Sequence, residues 1–265
     1  MSACNVFQAM ILSVENISKA YGGHAVLHGV SLAVAERQTL AILGRSGCGK
    51  TTLLKIVAGL VDADAGSLRL RGAAIGDTPI ERRNVVYIYQ EPLLFPHLTV
   101  FENIAFGLRL RRQPAAEVEQ AVAMMMDELE LAGHGAKLPL QLSGGQRQRV
   151  AFGRAVIVKP DVLLLDEPFS SLDTETRASM QMLFRRIVQA HGVASIFVTH
   201  DLKEAILIGD AIAYMQDGRL VTFGTKAEFI AHPEFGARRE IEFWASLGGD
   251  PMLNGGASAG RTNDE

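Results

Sequence analysis

The tightest constraint on this chain is one octapeptide, Gly44-Arg-Ser-Gly-Cys-Gly-Lys-Thr51. Glycines at 44, 47 and 49 interrupt any regular element, yet both flanks are strongly patterned. Thr39-Leu-Ala-Ile-Leu43 is a short apolar run that suits a buried strand, and Lys50 to Gly59 reads as a helix closed by its glycine. Strand, glycine loop and helix in that order fit the G-x-x-x-x-G-K-[ST] pattern. There, backbone N–H groups turn inward around a phosphate and the helix N-terminus adds positive potential. The pattern implies nucleoside triphosphate binding by Gly44, Arg45, Ser46, Gly47, Cys48, Gly49, Lys50, Thr51 and Thr52. Lys50 supplies a point charge to the β- and γ-phosphates, and the Thr51 hydroxyl is suited to ligate Mg²⁺. Cys48 reads as a small residue tolerated in the loop, without a redox role.

Around this loop the sequence alternates short β-rich runs with longer helical ones, the mark of an α/β class. Strands are expected at Met10–Ile17, Val26–Val34, Ser67–Leu70, Val85–Tyr89, Ile196–Val198, Ile212–Met215 and Leu220–Phe223. Between them, Thr99 to Leu131 turns helical, with Val118, Val122, Met125 and Leu129 on one face. The Met124–Met126 run on that helix reads as adaptable core packing. Met180, Leu183, Phe184, Ile187 and Val188 make a second apolar stripe. The domain reading is a catalytic core over 10–91 and 159–245, a helical insert over 92–158, and a glycine-rich disordered tail over 246–265.

Val162-Leu-Leu-Leu-Asp166-Glu167 is a buried strand ending in two carboxylates. At the carboxyl end of a parallel strand these acids lie beside the phosphate loop. Asp166 is then placed to hold Mg²⁺, directly or through water, and Glu167 to polarise an attacking water. These two motifs leave kinases, GTPases, helicases and transport ATPases open. Between them stands Leu142-Ser-Gly-Gly-Gln146, where a helix beginning near Gly145 aims free N–H groups at an anion. Taken alone it reads equally as a helix cap with Ser143 as the N-cap. Arg147, Arg149 and Arg154 beyond it read as a solvated face rather than phosphate ligands.

Charge and composition narrow the partners. A formal net charge of −3 argues against nucleic acid as the main partner. Two cysteines, Cys4 and Cys48, make no disulfide framework and suit a reducing compartment. No apolar run is long enough to span a bilayer, since Ala205 to Met215 is broken by Asp210. The first ten residues lack a basic and apolar leader pattern.

With LSGGQ in place between the two phosphate motifs, the chain resembles the ATP-binding-cassette (ABC) ATPases, whose signature that pentapeptide is. Smaller features match in order: Tyr21 the adenine-stacking aromatic, Gln90 the loop glutamine, Ser171-Leu-Asp173 the D-loop, and His200 the switch histidine. The resemblance covers about residues 10 to 230. It implies a P-loop NTPase (RecA-like) α/β core with an N-terminal antiparallel β subdomain and an inserted helical subdomain. It further implies ATP and Mg²⁺ as ligands, with Glu167, His200 and Gln90 catalytic and Thr51, Gln90 and Asp166 at the metal. Two cassettes, as a homodimer or a paired cassette, would sandwich ATP head to tail. Ser143, Gly144, Gly145 and Gln146 of one then cap the phosphates held by the other, beside Asp173.

The apolar, aromatic segment Glu91–Gly107 resembles the coupling segment of importer-type ABC ATPases for small solutes of the polyamine, ferric iron, sulfate or maltose kind. The resemblance implies integral membrane permease subunits docking on 91–107, with Phe95 as the foremost exposed contact. It also implies a solute-binding protein in the complex and a place on the cytoplasmic face of the cell membrane. Two departures stand out. Many such ATPases carry a further regulatory β-domain, whereas the folded pattern here ends near Trp244, and Tyr89 stands where Phe is common. An exporter ATPase, and less so a soluble non-transport ABC ATPase, remain as alternatives.

Overall fold

The computed structural model describes residues 9–233. It contains two sheets. Strands β1 (Met10–Tyr21) and β2 (His24–Ala35) form a long antiparallel pair, joined on the other edge of β1 by β4 (Ala65–Leu70) and the short β5 (Ala73–Ala74). Register shifts along β1 at Val14/Ile17 and Ile17/Lys19 carry the strand past Ile17, the expected end, to Tyr21. Bulges of this kind bend a strand and strengthen its twist without ending its pairing.

The second sheet has the order β10-β9-β3-β8-β7-β6. These are β3 (Thr39–Gly44), β6 (Val85–Ile88), β7 (Val162–Asp166), β8 (Ala194–Thr199), β9 (Ala211–Gln216) and β10 (Arg219–Phe223). All neighbours are parallel except β9 and β10, which the Asp217-Gly218 turn joins as a hairpin. Its central strands are buried and mostly apolar because both faces are covered, with the Thr39 and Ser195 hydroxyls bonded to each other at 2.8 Å. In β3, Leu40 and Ile42 feed the core between the two sheets, whereas Ala41 and Leu43 feed the core on the opposite face. Helix α1 (Lys50–Ala58) closes the first of these cores with Leu53, Leu54 and Ile56.

The other core is shared with the helices α2 (Val100–Leu110), α3 (Ala115–Glu128), α4 (Gly144–Val156) and α5 (Thr174–His191). Short helices α6 (Leu202–Ile208) and α7 (Lys226–Ala231) complete the described chain. The run expected to be helical from Thr99 to Leu131 is therefore two helices. Arg112 adopts a left-handed φ of 57°, and Pro114 then caps α3. Proline removes a donor and disfavours helical geometry in the residue before it, so Gln113-Pro114 enforces the break. The stripe of Val118, Val122 and Met125 on α3, continued by Leu129 at its C-cap, is buried as expected. Of the methionine run, Met125 and Met126 are core, but Met124 is exposed.

Strand β6 stops one residue short of Tyr89, and α4 begins one residue before Gly145. The boundary near Trp244 and the stretch 246–265 lie outside the described residues. Among those residues, no helix is long and apolar enough to cross a membrane.

Candidate nucleotide site at the carboxyl edge of the sheet

Strand register assembles the site. Leu43 pairs with Thr199, Asp166 with Val198, and Ile88 with Leu165. The loop after β3, Asp166 and Glu167 at the end of β7, His200 after β8 and Gln90 after β6 therefore emerge at one edge of the parallel sheet. That carboxyl edge is where ligands sit in open α/β sheets. It holds a cavity of about 400 Å³ lined by Val26, Ser46, Gly47, Gly49, Lys50, Thr51, Thr52, Gln90, Asp166 and Glu167.

The glycine loop is packed from beneath. A side chain at Gly44 would collide with the Met215 carbonyl and the Cys48 sulfur. Gly49 takes φ 110° and lies against Leu27 and the Val26 carbonyl. The backbone can thus approach a phosphate closely only with glycine at these positions. Gly218 N–H donates to the Cys48 carbonyl at 3.1 Å, so the β9–β10 turn braces the loop. Burial pushes the Cys48 thiol up, against the pull of Lys50. Lys50 is itself buried, and its Nζ donates to the carbonyls of Gly44 (2.7 Å) and Arg45 (3.0 Å).

Opposite the loop, Thr51 Oγ1 donates to Asp166 Oδ1 at 3.0 Å, and the Tyr87 hydroxyl donates to Oδ2 at 2.6 Å. Burial, then the Asp166 carboxylate, push the Tyr87 phenol far above its ordinary range, so it stays a donor. Glu167 adopts φ 45°, a conformation that costs a side-chain-bearing residue about 1–2 kcal/mol. Its N–H donates to the Val198 carbonyl at 3.1 Å. That geometry sends its carboxylate to His200, whose Nδ1 lies 2.8 Å from Oε2, and to Lys50 Nζ, 3.8 Å from Oε1. Such local strain is typical of sites where one orientation of a side chain matters. Behind His200, Thr199 Oγ1 donates to buried Glu204 at 2.7 Å and accepts from Asp201 N–H at 3.0 Å. Gln181 donates to the other Glu204 oxygen at 3.0 Å. Burial raises the Glu204 carboxyl above the usual range.

The remaining expected residues stand apart from this cavity. Tyr21 ends β1 with its ring exposed and the Lys19 ammonium 5.4 Å from its centroid. Asp173 caps α5, accepting from Thr176 N–H at 3.0 Å. Ser143 and Gln146 form a reciprocal capping box on α4, with Gly144 and Gly145 in its first turn. The cap consumes a Ser143 acceptor site and leaves its O–H free to donate. The helix-cap and anion-binding readings of LSGGQ are therefore compatible. Arg147, Arg149 and Arg154 do not form the solvated face expected of them. They donate to the carbonyls of Leu142, Leu129 and Leu93 respectively, and Arg154 also lies over the Phe95 ring at 5.0 Å.

Phe95 is likewise not the exposed contact. It is half-buried between Arg154 and Phe106, while Leu93 is 56% exposed. Tyr87, Glu204 and buried Asn103 carry site and loop geometry that the sequence reading did not single out. The alternation of β6 was the available signal for Tyr87, but its meaning depends on the pairing with β7.

Comparison with known proteins agrees with this arrangement. A family model described as ABC transporter matches residues 27–170. The sulfate/thiosulfate import ATP-binding protein CysA of Gloeobacter violaceus is 42% identical over 225 residues, covering 85% of this chain and 65% of that protein. The spermidine/putrescine import ATP-binding protein PotA of Spiroplasma citri is 45% identical over 224 residues, covering 84% and 64%. The chain thus spans just under two thirds of the length of these relatives. Among solved structures, CbiO1 from Clostridium perfringens, part of the ABC transporter complex CbiONQ, superposes with a TM-score of 0.80 at 26% identity, over 90% of this chain and 97% of that one. By matched family model, sequence relatives and fold, the chain belongs to the ABC transporter family.

Proposed function

We propose that this chain is the nucleotide-binding subunit of an ABC importer. It would couple ATP binding and hydrolysis at a head-to-tail dimer interface to solute movement through separate membrane subunits. One observation carries the reading: Lys50, Thr51, Gln90, Asp166 and Glu167 line one cavity, while the N-terminus of α4 lies outside it. A single phosphate cannot occupy both helix N-termini within one chain, but a two-fold dimer lets each ATP do so. The import roles named for the sulfate and polyamine relatives favour import over the exporter alternative.

In this reading the phosphates lie over the loop 44–52, with Lys50 against the β- and γ-oxygens and adenine stacked on Tyr21. Mg²⁺ fits the donor set: Thr51 Oγ1 and Asp166 Oδ1 are hard oxygens 3.0 Å apart, with Gln90 lining the same cavity. Among the described residues, no group of three His, Cys, Asp or Glu side chains is arranged to cage a metal. That suits an ion which takes its remaining ligands from phosphate and water. When bound it neutralises charge on the phosphate oxygens.

Glu167 orients the attacking water and accepts its proton as the water oxygen bonds to the γ-phosphorus. The bond from that phosphorus to the bridging oxygen breaks, giving ADP and inorganic phosphate. His200 Nδ1–H holds Glu167 in place. The Ser143 hydroxyl and Gly145 N–H of the partner cassette donate to the γ-phosphate, with Gly144, Gln146 and Asp173 at the same interface. The core over 10–91 and 159–245 binds nucleotide, and the insert over 92–158 carries the signature. Segment 91–107 receives the permease subunits at the cytoplasmic face of the cell membrane, in a complex with a solute-binding protein. Affinity purification of the tagged chain from native membranes tests this. Integral membrane subunits should copurify; ribosomes or DNA ends in their place would sink it.

A further inference from the structure

We propose that Tyr87 is a positioning residue for the Mg²⁺–ATP site: its phenol sets the rotation of the Asp166 carboxylate so that Oδ1 faces Thr51 and the cation. The inference rests on the reading of the cavity as that site. Tyr87 lies on β6 opposite Leu164, two residues before Asp166 on β7. The terminal torsion of an aspartate is broad, so one donor does not fix the carboxylate plane. Here each oxygen has its own donor from a different element, Thr51 of α1 on Oδ1 and Tyr87 of β6 on Oδ2.

The division of labour follows from donor counts. Thr51 has one hydroxyl proton, and giving it to Oδ1 leaves the oxygen's lone pairs facing the cavity for a cation. A carboxylate only accepts, so Oδ2 is paired by a donor from outside the loop. Tyr87 is that donor, and its ring is held: it is half-buried, with its centroid 4.6 Å from that of Tyr89. Tyr89 immediately precedes Gln90, another residue lining the cavity. The ring pair thus joins the strand that orients Asp166 to the loop that presents Gln90.

Groups that hydrogen-bond a ligating carboxylate commonly change metal affinity by about 10–100-fold when removed. The test uses Mn²⁺ as a spin probe, titrated by electron paramagnetic resonance into the full chain with a non-hydrolysable ATP analogue. Tyr87→Phe keeps the ring and its packing and removes only the hydroxyl. Mn²⁺ affinity should fall about tenfold, while binding of the analogue in excess chelator stays unchanged and shows the loop intact. Tyr87→Met, which also lacks the hydroxyl, should lose a similar factor. Mn²⁺ affinity within about twofold of the wild type in Tyr87→Phe overturns the role of Tyr87 and leaves the site standing. A Met variant that recovers wild-type affinity overturns it too. Failure of the wild-type chain to take up Mn²⁺ with the analogue overturns both readings.

Discussion

Asn103 has no exposed surface and holds the segment proposed to meet the membrane subunits. Its Oδ1 accepts from Phe95 N–H at 2.9 Å, and its Nδ2 donates to the carbonyls of Phe95, Leu98 and Thr99 at 3.1, 2.9 and 3.0 Å. Asn103→Leu keeps most of the volume and removes the polar complement. The Thr99 carbonyl retains Asn103 N–H, and the Phe95 carbonyl retains Leu98 N–H. Phe95 N–H and the Leu98 carbonyl lose their Asn103 partners. A buried polar group left unpaired costs about 1–3 kcal/mol. Phe95 and Leu98 are half-buried, so about 2–3 kcal/mol in total is the fitting estimate. For a chain of this size each kcal/mol lowers the melting midpoint by about 2–4 °C, giving a drop of about 4–12 °C. Thermal unfolding followed by circular dichroism measures it, and nucleotide affinity should be unchanged because Asn103 does not line the cavity. A midpoint within about 1 °C of the wild type would refute the claim that this side chain organises the segment.

Gly44→Ala places a methyl against the Met215 carbonyl and the Cys48 sulfur. It should weaken binding of a fluorescent ATP analogue at least tenfold, and unchanged affinity would show that the loop tolerates a side chain there. Glu204 has a raised folded-state pKa, so its stabilising contribution is full below its ordinary value of 4.5 and is lost as pH rises through the folded value. Glu204→Gln should flatten that decline in denaturant titrations run above pH 4.5; parallel profiles for variant and wild type would count against it. Leu93→Arg alters a side chain that is 56% exposed, so stability should move by less than about 0.5 kcal/mol. Copurification of membrane subunits should nevertheless fall sharply, and full retention would move the docking surface elsewhere.

Much of the nucleotide cavity is legible in local sequence because its chemistry is written in short contiguous runs. Lys50 and Thr51 are read from their neighbouring glycines alone, whereas Asp166 and Glu167, at the end of an apolar strand, take their meaning from the phosphate loop far upstream. The strand order needs more: the family resemblance implied an α/β core with a β subdomain and a helical insert, but the order β10-β9-β3-β8-β7-β6 depends on pairings between distant segments. Side-chain partners between elements are a different matter. Tyr87 meets Asp166 only because β6 pairs in parallel with β7, and a Tyr within an apolar strand carries no mark of that pairing. Arg154 illustrates the reverse error: a charged residue on a helix reads as solvated, yet here it covers Phe95 and reaches the Leu93 carbonyl. Long arginine stems pack on apolar surface while their heads find acceptors. The helix break at Gln113-Pro114 was readable, since proline chemistry predicts it, and the apolar periodicity on either side obscured it.

In the proposed cycle two of these chains close on ATP, and Glu167 opens them by hydrolysis. Glu167→Gln keeps the size of the side chain and removes its capacity to take a proton. With saturating Mg²⁺–ATP, size-exclusion chromatography with light scattering should show this variant as a stable dimer and, without nucleotide, as a monomer. Its hydrolysis rate should fall by about 10²–10⁴, the usual contribution of a positioned general base. A variant that stays monomeric with ATP, or hydrolyses it at the wild-type rate, would contradict the account.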